Sequence, residues 1–304
     1  MGTSPRAAVG DSNFVFSASE FAAWKVVPHH CEMSFLPRPP EHIFFFAAHI
    51  EPSMWGGESP LVDLRAVTRE MAPEVAAAFE AGGVRYLRHY PDAASSHPVD
   101  KLDFLRVKPW QDLFRHVPEV AAARGANTSA AAAGAAAARK AVEAESARQG
   151  FSPSWDAHGG LKLTHELPAF RHHPSTGERT WLNHLGVLHS AAWADEFAHA
   201  AVHLSSPTYV LAAYAFYALG WLSHALLGAE GVGQHVTHYG GRPISRAHVW
   251  HVRRLVWKHM LIAPWQQGDL MIIDNFRIAH ARMPHADVPR RLWAAWSRPP
   301  ASLE

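Results

Sequence analysis

A histidine and an arginine near the C-terminal end have side chains that suit a metal site holding a dicarboxylate. An imidazole can bind a transition metal, and a guanidinium group can hold a carboxylate through two parallel hydrogen bonds. Arg291 comes eleven positions after His280, far enough to lie on a neighbouring strand. Arg290 competes for the same role, but successive strand residues face opposite sides, so only one of the two arginines can serve.

Two further metal ligands are available near the other end of the chain. His30 and Glu32 are two positions apart, which aims both side chains at one side of a strand. Together with His280 they form a set of two histidines and one carboxylate, which holds Fe(II) in non-haem oxygenases and leaves three positions open. The H-x-E pattern alone is weak evidence in a chain with 23 histidines. Cys31 could be a soft ligand, but strand alternation points it away from the metal and favours a packed thiol.

The elements around these residues are predicted from hydrophobic patterns. Residues 270–273 form a short apolar run typical of a buried strand, and the next extended piece places His280 and Arg282 on one face. The sequence RRLWAAW predicts a last strand, and the apolar residues 43–50 predict another. The His172–His173 pair could also attract a metal, but nothing else in its loop completes a ligand set.

Helices are predicted between these strands and in a long insertion. One or two helices are expected in residues 63–81, one in 109–124, an alanine-rich surface helix in 127–148, and one in 243–260. Residues 208–227 carry no formal charge and have the length of a membrane span. Polar side chains within this segment and the lack of flanking charges favour a buried or dimer-forming helix over a membrane span.

Composition indicates a soluble intracellular protein. The net charge of +1 gives no indication of nucleic acid binding or of attraction to an anionic membrane. The single cysteine excludes an intrachain disulfide framework and fits a reducing compartment. The N-terminus has no apolar core of signal-peptide length, so a cytoplasmic location is expected.

Several segments in a fixed order resemble one known family. HHCEM, FFFAAHIEPSMWGGESPLVDLR, WLN, PWQQGDLMIIDNFRIAHAR and PRRLWAAW resemble the taurine dioxygenase (TauD/TfdA) family, and especially its clavaminate-synthase-like branch. The resemblance spans residues 2–297, with a weaker match in the middle. It implies that His30, Glu32 and His280 are iron ligands, and that Arg291 and Ser59 bind the distal carboxylate of the cosubstrate 2-oxoglutarate. The cofactors would be Fe(II), 2-oxoglutarate and O2.

The resemblance also implies a fold. We expect one domain over residues 1–304, mainly β or α+β, with a double-stranded β-helix (jelly-roll) core, surrounding helices and a helical insertion near residues 191–231. Family members usually have several dozen residues before the first ligand, whereas here there are 29. The first strands of the fold are therefore expected to be missing or supplied by a partner subunit.

The implied function is oxidation of a C–H bond in a small molecule, with release of succinate and CO2. Glu32 favours hydroxylation, because related halogenases lack this carboxylate; desaturation, cyclisation and epoxidation stay open. Ala295 replaces the substrate-binding arginine of taurine-type members, which favours an amino-acid-like or natural-product substrate, free or tethered to a carrier protein. Asn183 of WLN is a candidate substrate contact, with a structural role equally open. A homodimer is an open expectation.

Two other functions compete with this one. A family member without turnover could serve as a binding or partner subunit, and the short N-terminus motivates that alternative. A different metal enzyme, such as a cupin-like hydrolase or isomerase, could use the same ligands. Arg291 argues against the second alternative, because a hydrolase does not need to hold a distal carboxylate.

Overall fold

Short antiparallel sheets and helices make up the described part of the chain. The computed structural model describes residues 7–12, 14–18, 21–101, 108–124, 131–189, 191–228 and 231–299. The strands are β1 Phe16–Ser17, β2 Val27–His30, β3 His42–Ile50, β4 Leu61–Asp63, β5 Val84–Tyr90, β6 Ser152–Trp155, β7 Leu161–Leu167, β8 Arg171–His172, β9 Arg179–Thr180, β10 Gln234–Thr237, β11 Met260–Leu261, β12 Leu270–Asp274, β13 Ile278–Arg282 and β14 Arg290–Trp296. The helices are α1 Leu64–Glu70, α2 Pro73–Gly82, α3 Trp110–Leu113, α4 Pro118–Arg124, α5 Ala131–Arg148, α6 Leu185–Leu188, α7 Ala192–His203, α8 Pro207–Leu227 and α9 Arg246–Lys258.

The chain forms two compact units. The smaller consists of Arg85–Glu166 and Gly220–Val236, and it holds the sheet with strand order β10-β5-β7-β6. The larger consists of Gly2–Val84, Leu167–Leu219 and Thr237–Glu304, and it holds the sheets β1-β14-β3-β12 and β11-β4-β13-β2 and the pair β8-β9. This mixture of sheets and helices agrees with the expected α+β class, whereas a single domain over residues 1–304 stays a prediction.

Strand β3 lies at the centre of the hydrophobic core of the larger unit. It pairs with β12 on one side and with β14 on the other, both antiparallel. Its alternate residues Ile43, Phe45 and Ala47 are buried against Ile273 of β12 and Leu292 of β14. The strands predicted for residues 43–50, 270–273 and RRLWAAW are therefore confirmed as strands that supply apolar side chains to one core. The expected burial of residues 270–273 is wrong for two of them, because β12 is an edge strand and Leu270 and Ile272 are exposed.

The sheet β11-β4-β13-β2 brings the two ends of the chain together. Strand β13 lies between β4 and β2, and His280 is directly opposite His30 in the antiparallel register. Strand β2 ends at His30, and Glu32 lies in the turn that follows, where Met33 has a φ of 53°. The prediction that His30 and Glu32 share a regular strand is therefore wrong in its geometry, although the turn still brings both side chains to one place.

Prolines divide two of the predicted helical segments. Residues 63–81 form α1 and α2, with Pro73 beginning the second helix. Residues 109–124 form α3 and α4, with Pro118 beginning the second. Proline at a first helical position has no N–H to lose, but it stops the preceding helix from continuing. The alanine-rich segment forms α5 as predicted, and residues 127–130 of that prediction lie outside the described residues.

Helix α8 is long, apolar and mostly exposed. Tyr209, Ala212, Ala213 and Phe216 pack against a buried cluster of Val26, Phe197 and Ala200. The rings of Tyr209 and Phe216 stack on the ring of Phe197 in α7. Most other side chains of α8 face solvent, so the expectation of a buried helix is wrong. Of the described helices, α8 alone is long and apolar enough to cross a membrane by length and composition, and such a single helix is weak evidence for a span.

Candidate metal centre and cosubstrate pocket

Three metal-ligating side chains converge in the larger unit. One ligand atom from each of His30, Glu32 and His280 lies within 4.8 Å of the other two. The ring centroids of the two histidines are 4.4 Å apart, and His30 Nε2 is 4.0 Å from Glu32 Oε2. Glu32 and His280 are buried, so the centre is protected from bulk water on these sides.

The backbone fixes which nitrogen of His30 faces the centre. His30 Nδ1 lies 2.8 Å from the carbonyl oxygen of Pro28. A carbonyl oxygen can only accept, so Nδ1 carries the proton and donates it, and Nε2 is left with the lone pair. A hydrogen bond from the second ring nitrogen is typical of metal-binding histidines, because it sets the tautomer and the orientation of the ring.

A buried asparagine holds the turn that carries Glu32. The Asn275 side-chain oxygen accepts from the Glu32 backbone N–H at 2.7 Å, and its amide nitrogen donates to the Glu32 carbonyl at 2.9 Å and to the Pro40 carbonyl at 2.8 Å. Asn275 is fully buried. Asn275 follows β12 directly, and no signal in the sequence links it to a segment 243 positions away.

The donor set fits one first-row divalent metal ion. Two neutral imidazoles and one carboxylate on one side of an ion are the ligands used by non-haem Fe(II) centres, and they leave adjacent positions for other ligands. The convergence of these three side chains and the orientation of His30 Nε2 meet that requirement. The arrangement of these three side chains could therefore hold a metal ion in the way that a mononuclear two-histidine, one-carboxylate site does.

A cavity of about 430 Å³, which is partly open to solvent, adjoins two of the three ligands. His30 and His280 line it together with Ser59, Arg282 and Arg290, and apolar side chains including Phe45 and Leu292 complete its walls. Arg290 and Leu292 point to the cavity side of β14. Arg291, the arginine that the family resemblance indicated, lies on the opposite face with its side chain exposed. The structure thus places the competing residue Arg290, not Arg291, beside the predicted metal ligands.

A glycine turn positions the guanidinium of Arg290. Arg290 Nη2 donates to the carbonyl oxygen of Gly57 at 2.7 Å. Gly57 has a φ of +75°, and a Cβ there would lie 3.0 Å from Arg290 Nε, so a side chain at this position would crowd the guanidinium. Arg290 Nε–H is buried and has no hydrogen-bond acceptor among the described residues. A buried guanidinium N–H beside a cavity suits an anionic ligand.

Arg282 is a second cation in the cavity wall. Its Nη atoms donate to the backbone carbonyls of Phe21, Ala22 and Lys25 at 2.7–3.0 Å, which fastens that segment to β13. Burial lowers the pKa of Arg282 to about 10, and burial together with the charge of Arg282 lowers the pKa of Arg290 to about 10. Both arginines therefore remain charged at neutral pH, and their combined charge suits a dianion.

Asn183 lies at a different cavity of the larger unit, of about 460 Å³. Its side-chain nitrogen donates to the Ala169 carbonyl at 2.9 Å, and its oxygen accepts from the Leu185 backbone N–H at 3.0 Å. Both ends of the amide thus bind backbone, one in the segment before β8 and the other at the start of α6. This geometry describes a structural asparagine, and its role as a substrate contact stays a prediction.

A buried ion pair lines the same second cavity. Arg253 Nη2 lies 2.6 Å from Glu196 Oε1, and His29 Nδ1 lies 3.8 Å from the same oxygen. Burial alone would raise the pKa of Glu196, but the charge of Arg253 and the neighbouring His29 lower it to about 2. The pair joins α7 to α9 on the side of β2 that carries His29.

Two other side chains considered as metal ligands have structural partners. The buried Cys31 thiol donates to the Ile278 carbonyl at 3.6 Å, and burial raises its pKa, as expected for a packed thiol. His173 Nδ1 accepts from the backbone N–H groups of Ser175 and Thr176, and its Nε2 lies 2.9 Å from Asp274 Oδ2. His173 therefore orders its own loop.

Comparison with known proteins identifies the family of the chain. A model of the family described as "Taurine catabolism dioxygenase TauD, TfdA family" matches residues 7–296. The chain belongs to this family.

Individual relatives are distant. Dapdiamide synthesis protein DdaC of Enterobacter agglomerans is 24% identical over 270 residues, which cover 89% of this chain and 65% of the relative. A clavaminate synthase-like protein of Arabidopsis thaliana is 25% identical over 300 residues, which cover 97% of this chain and 71% of that protein. A solved taurine dioxygenase from Burkholderia xenovorans has 14% identity and a TM-score of 0.44, covering 97% of this chain and 65% of that one. The chain thus spans roughly two thirds of the length of these proteins.

Proposed function

We propose that this protein is an Fe(II)- and 2-oxoglutarate-dependent oxygenase that oxidises a C–H bond of a small molecule. The observation that carries the proposal is the meeting of His30, Glu32 and His280 beside a cavity that also contains a buried arginine and a serine. Membership of the TauD/TfdA family supports the same conclusion. A binding subunit without turnover would not need all three ligands and the cavity arginine together.

The proposed metal ligands are His30, Glu32 and His280. When bound, Fe(II) with 2-oxoglutarate and O2 supplies the oxidation: one oxygen atom enters the substrate, the other enters succinate, and CO2 is released. The protein holds the metal ligands in position. The Pro28 carbonyl keeps His30 Nε2 directed at the centre, and Asn275 holds the backbone of Glu32 in place.

Arg290 and Ser59 are the proposed contacts of the distal carboxylate of 2-oxoglutarate. Arg290 lines the cavity, and its buried Nε–H has no acceptor within the described ranges; Ser59 lines the same cavity. This replaces the earlier expectation for Arg291, whose exposed side chain lies on the other face of β14. Arginine is well suited to this role, because its fixed fork can bind a carboxylate at two points.

The proposed substrate is an amino-acid-like compound or natural product, free or tethered to a carrier protein, and the proposed outcome is hydroxylation. Four positions after Arg290 is Ala294, and four after Arg291 is Ala295. The cation that taurine-type members use for a sulfonate is therefore missing for either choice of arginine. Similarity to a protein of dapdiamide synthesis supports a biosynthetic setting.

A substrate panel tests the proposed function. The protein is incubated with Fe(II), 2-oxoglutarate and O2, and succinate and product mass are measured for amino acids, their derivatives and alkylsulfonates. We expect succinate and an oxidised product, with a mass gain of one oxygen atom, from a member of the amino-acid group. Coupled oxidation of taurine with no response to any amino acid derivative would overturn the substrate proposal. No succinate with any compound would overturn the enzymatic proposal.

The remaining proposals concern architecture and location. We propose that the two large sheets of the larger unit belong to a double-stranded β-helix, in one domain with the rest of the chain, because the family match extends over residues 7–296. We propose a cytoplasmic location, which the packing of α8 on Phe197 supports, since a helix attached to its own protein along one side is poorly placed to span a bilayer.

We also propose a homodimer formed through α8. Leu211, Tyr214 and Tyr217 expose 70%, 71% and 47% of their surface, and further apolar side chains of the helix are also exposed. At up to ~250 Å² for a large side chain, these three residues expose no more than roughly 470 Å², and the other exposed apolar side chains extend the surface towards the ~800 Å² that each partner buries in a standard interface. The absence of formal charge between residues 208 and 227 favours a second copy of the same apolar face over a charged partner or an anionic membrane surface.

Light scattering after size-exclusion chromatography tests the dimer. The wild type should have the mass of two chains, and the double variant Leu211→Glu, Tyr214→Glu should have the mass of one. A matched charge change at the exposed Glu74, Glu74→Lys, should leave the mass unchanged. A monomeric wild type, or a double variant that stays dimeric, would overturn the proposal, as would flotation of the wild type with phospholipid vesicles.

A further inference from the structure

One buried hydrogen bond links the core of the larger unit to the proposed cosubstrate pocket. Trp265 Nε1 lies 3.0 Å from Ser59 Oγ, and both residues are buried. The ring of Trp265 packs in the hydrophobic cluster around β3, so its indole has a fixed place. Ser59 faces the cavity that Arg290 also lines. Trp265 itself is not among the residues that line that cavity.

The direction of this hydrogen bond determines what the serine hydroxyl can do. An indole N–H is a donor only, so Ser59 Oγ must be the acceptor. A hydroxyl has one hydrogen to donate, and that hydrogen cannot be used in this bond. Free rotation of a serine hydroxyl would otherwise let it turn its oxygen towards an incoming carboxylate, which would be repulsive. The bond from Trp265 therefore favours the orientation in which Ser59 donates into the cavity.

We infer that Trp265 is a positioning residue that presets Ser59 as a hydrogen-bond donor to the distal carboxylate of the 2-oxo acid. This inference rests on the proposed function, because it takes the cavity beside Arg290 as the cosubstrate pocket. Trp265 touches neither metal nor cosubstrate in this account. Its effect reaches the ligand only through Ser59, and only when the ligand has a distal carboxylate.

Equilibrium titrations without O2 test this inference on the metal-loaded full chain. The proteins are wild type, Trp265→Phe, Ser59→Ala and the double variant. Phenylalanine keeps an apolar ring in the core but has no N–H. Trp181→Phe is the matched control, since Trp181 is also a buried tryptophan of the larger unit and does not line this cavity. The ligands are 2-oxoglutarate and 2-oxopentanoate, which has the same chain length with a methyl group in place of the distal carboxylate.

Trp265→Phe removes the hydrogen bond that orients the Ser59 hydroxyl, and it should weaken 2-oxoglutarate binding by about 3- to 10-fold, as expected for one neutral hydrogen bond. Ser59→Ala removes the donor itself and should weaken binding by about 10-fold or more. The double variant should be no weaker than Ser59→Ala alone, because both changes remove the same contact. Binding of 2-oxopentanoate should stay the same in wild type and Trp265→Phe. Trp181→Phe should bind both ligands as the wild type does.

Three results would overturn the inference. Equal weakening of both ligands by Trp265→Phe would show a general packing defect. Additive effects in the double variant would show that Trp265 acts independently of Ser59. Wild-type affinity in Trp265→Phe would show that the hydrogen bond has no influence. If the metal-loaded wild type itself fails to bind 2-oxoglutarate, the proposed function fails, and this outcome is separate from the other three.

Discussion

Replacing Arg290 should weaken 2-oxoglutarate binding far more than replacing its neighbour Arg291. The Arg290 guanidinium has one nitrogen held by the Gly57 carbonyl and a buried Nε–H that meets no acceptor in the described part of the chain, so the rest of its fork can bind a carboxylate. Such a charge-assisted contact is worth about 1.5–3 kcal/mol, or roughly 10- to 100-fold in affinity. Arg282 stays in the cavity and still attracts the dianion, so Arg290→Ala should weaken binding without abolishing it.

Titration of 2-oxoglutarate into metal-loaded protein without O2 measures this difference. Arg291 is exposed, and its removal should change the affinity by less than about 2-fold. Arg290→Lys keeps the charge but loses the planar fork, so it should fall between wild type and Arg290→Ala. A larger loss in Arg291→Ala than in Arg290→Ala would refute the reasoning, because it would require the exposed face of β14 to be the binding face.

Three further changes test the surroundings of the site. Gly57→Ala should weaken 2-oxoglutarate binding several-fold, because the added Cβ would crowd the guanidinium of Arg290. Gly177 has a similar φ of +70°, and a Cβ added there would meet no described atom within 4 Å, so Gly177→Ala should leave the affinity unchanged. Equal affinities of the two variants for 2-oxoglutarate would contradict this prediction. Asn275→Ala should lower the free energy of unfolding by about 2–4 kcal/mol and weaken metal binding, as denaturation and metal titration would show. Glu196→Gln should lower the free energy of unfolding, measured by denaturation at pH 7, by roughly 3 kcal/mol. The control Glu80→Gln, at an exposed position, should lower it by less than about 1 kcal/mol. Because the folded pKa of about 2 lies below the ordinary 4.5, that difference should be full above pH 4.5 and shrink as the pH falls towards 2; a constant difference would refute the assignment.

The strands that carry the site could be predicted because their patterns are local. Residues 270–273 and 43–50 are apolar runs typical of strands, and both form neighbouring strands, although Leu270 and Ile272 at the sheet edge are exposed. The pairing of His30 with His280 connects opposite ends of the chain, and no local pattern requires it. It was expected from the order of several motifs taken together. The helices were also largely predicted, and their breaks follow the two prolines that begin α2 and α4.

The errors arose where tertiary contacts decide the outcome. The alternation of strand residues predicts that Arg290 and Arg291 face opposite sides, but it does not determine which side faces the metal ligands. The pairing of β14 with β3 decides this, since Leu292 must enter the core and Arg290 shares its face. Similarly, the composition of α8 predicts a helix that avoids water, whereas its exposure depends on how much of the chain packs against it. Asn275 bonds to backbone far away in sequence, which no spacing reveals.

Iron binding by one variant tests the central claim most directly. His280→Ala removes one of the three side chains whose ligand atoms lie within 4.8 Å of one another. We predict that the wild type binds one Fe(II) per chain without O2, and that His280→Ala binds none under the same conditions. His172→Ala, which removes an exposed histidine, should bind Fe(II) as the wild type does. Stoichiometric Fe(II) in folded His280→Ala protein would contradict the assignment of His30, Glu32 and His280 as the metal centre.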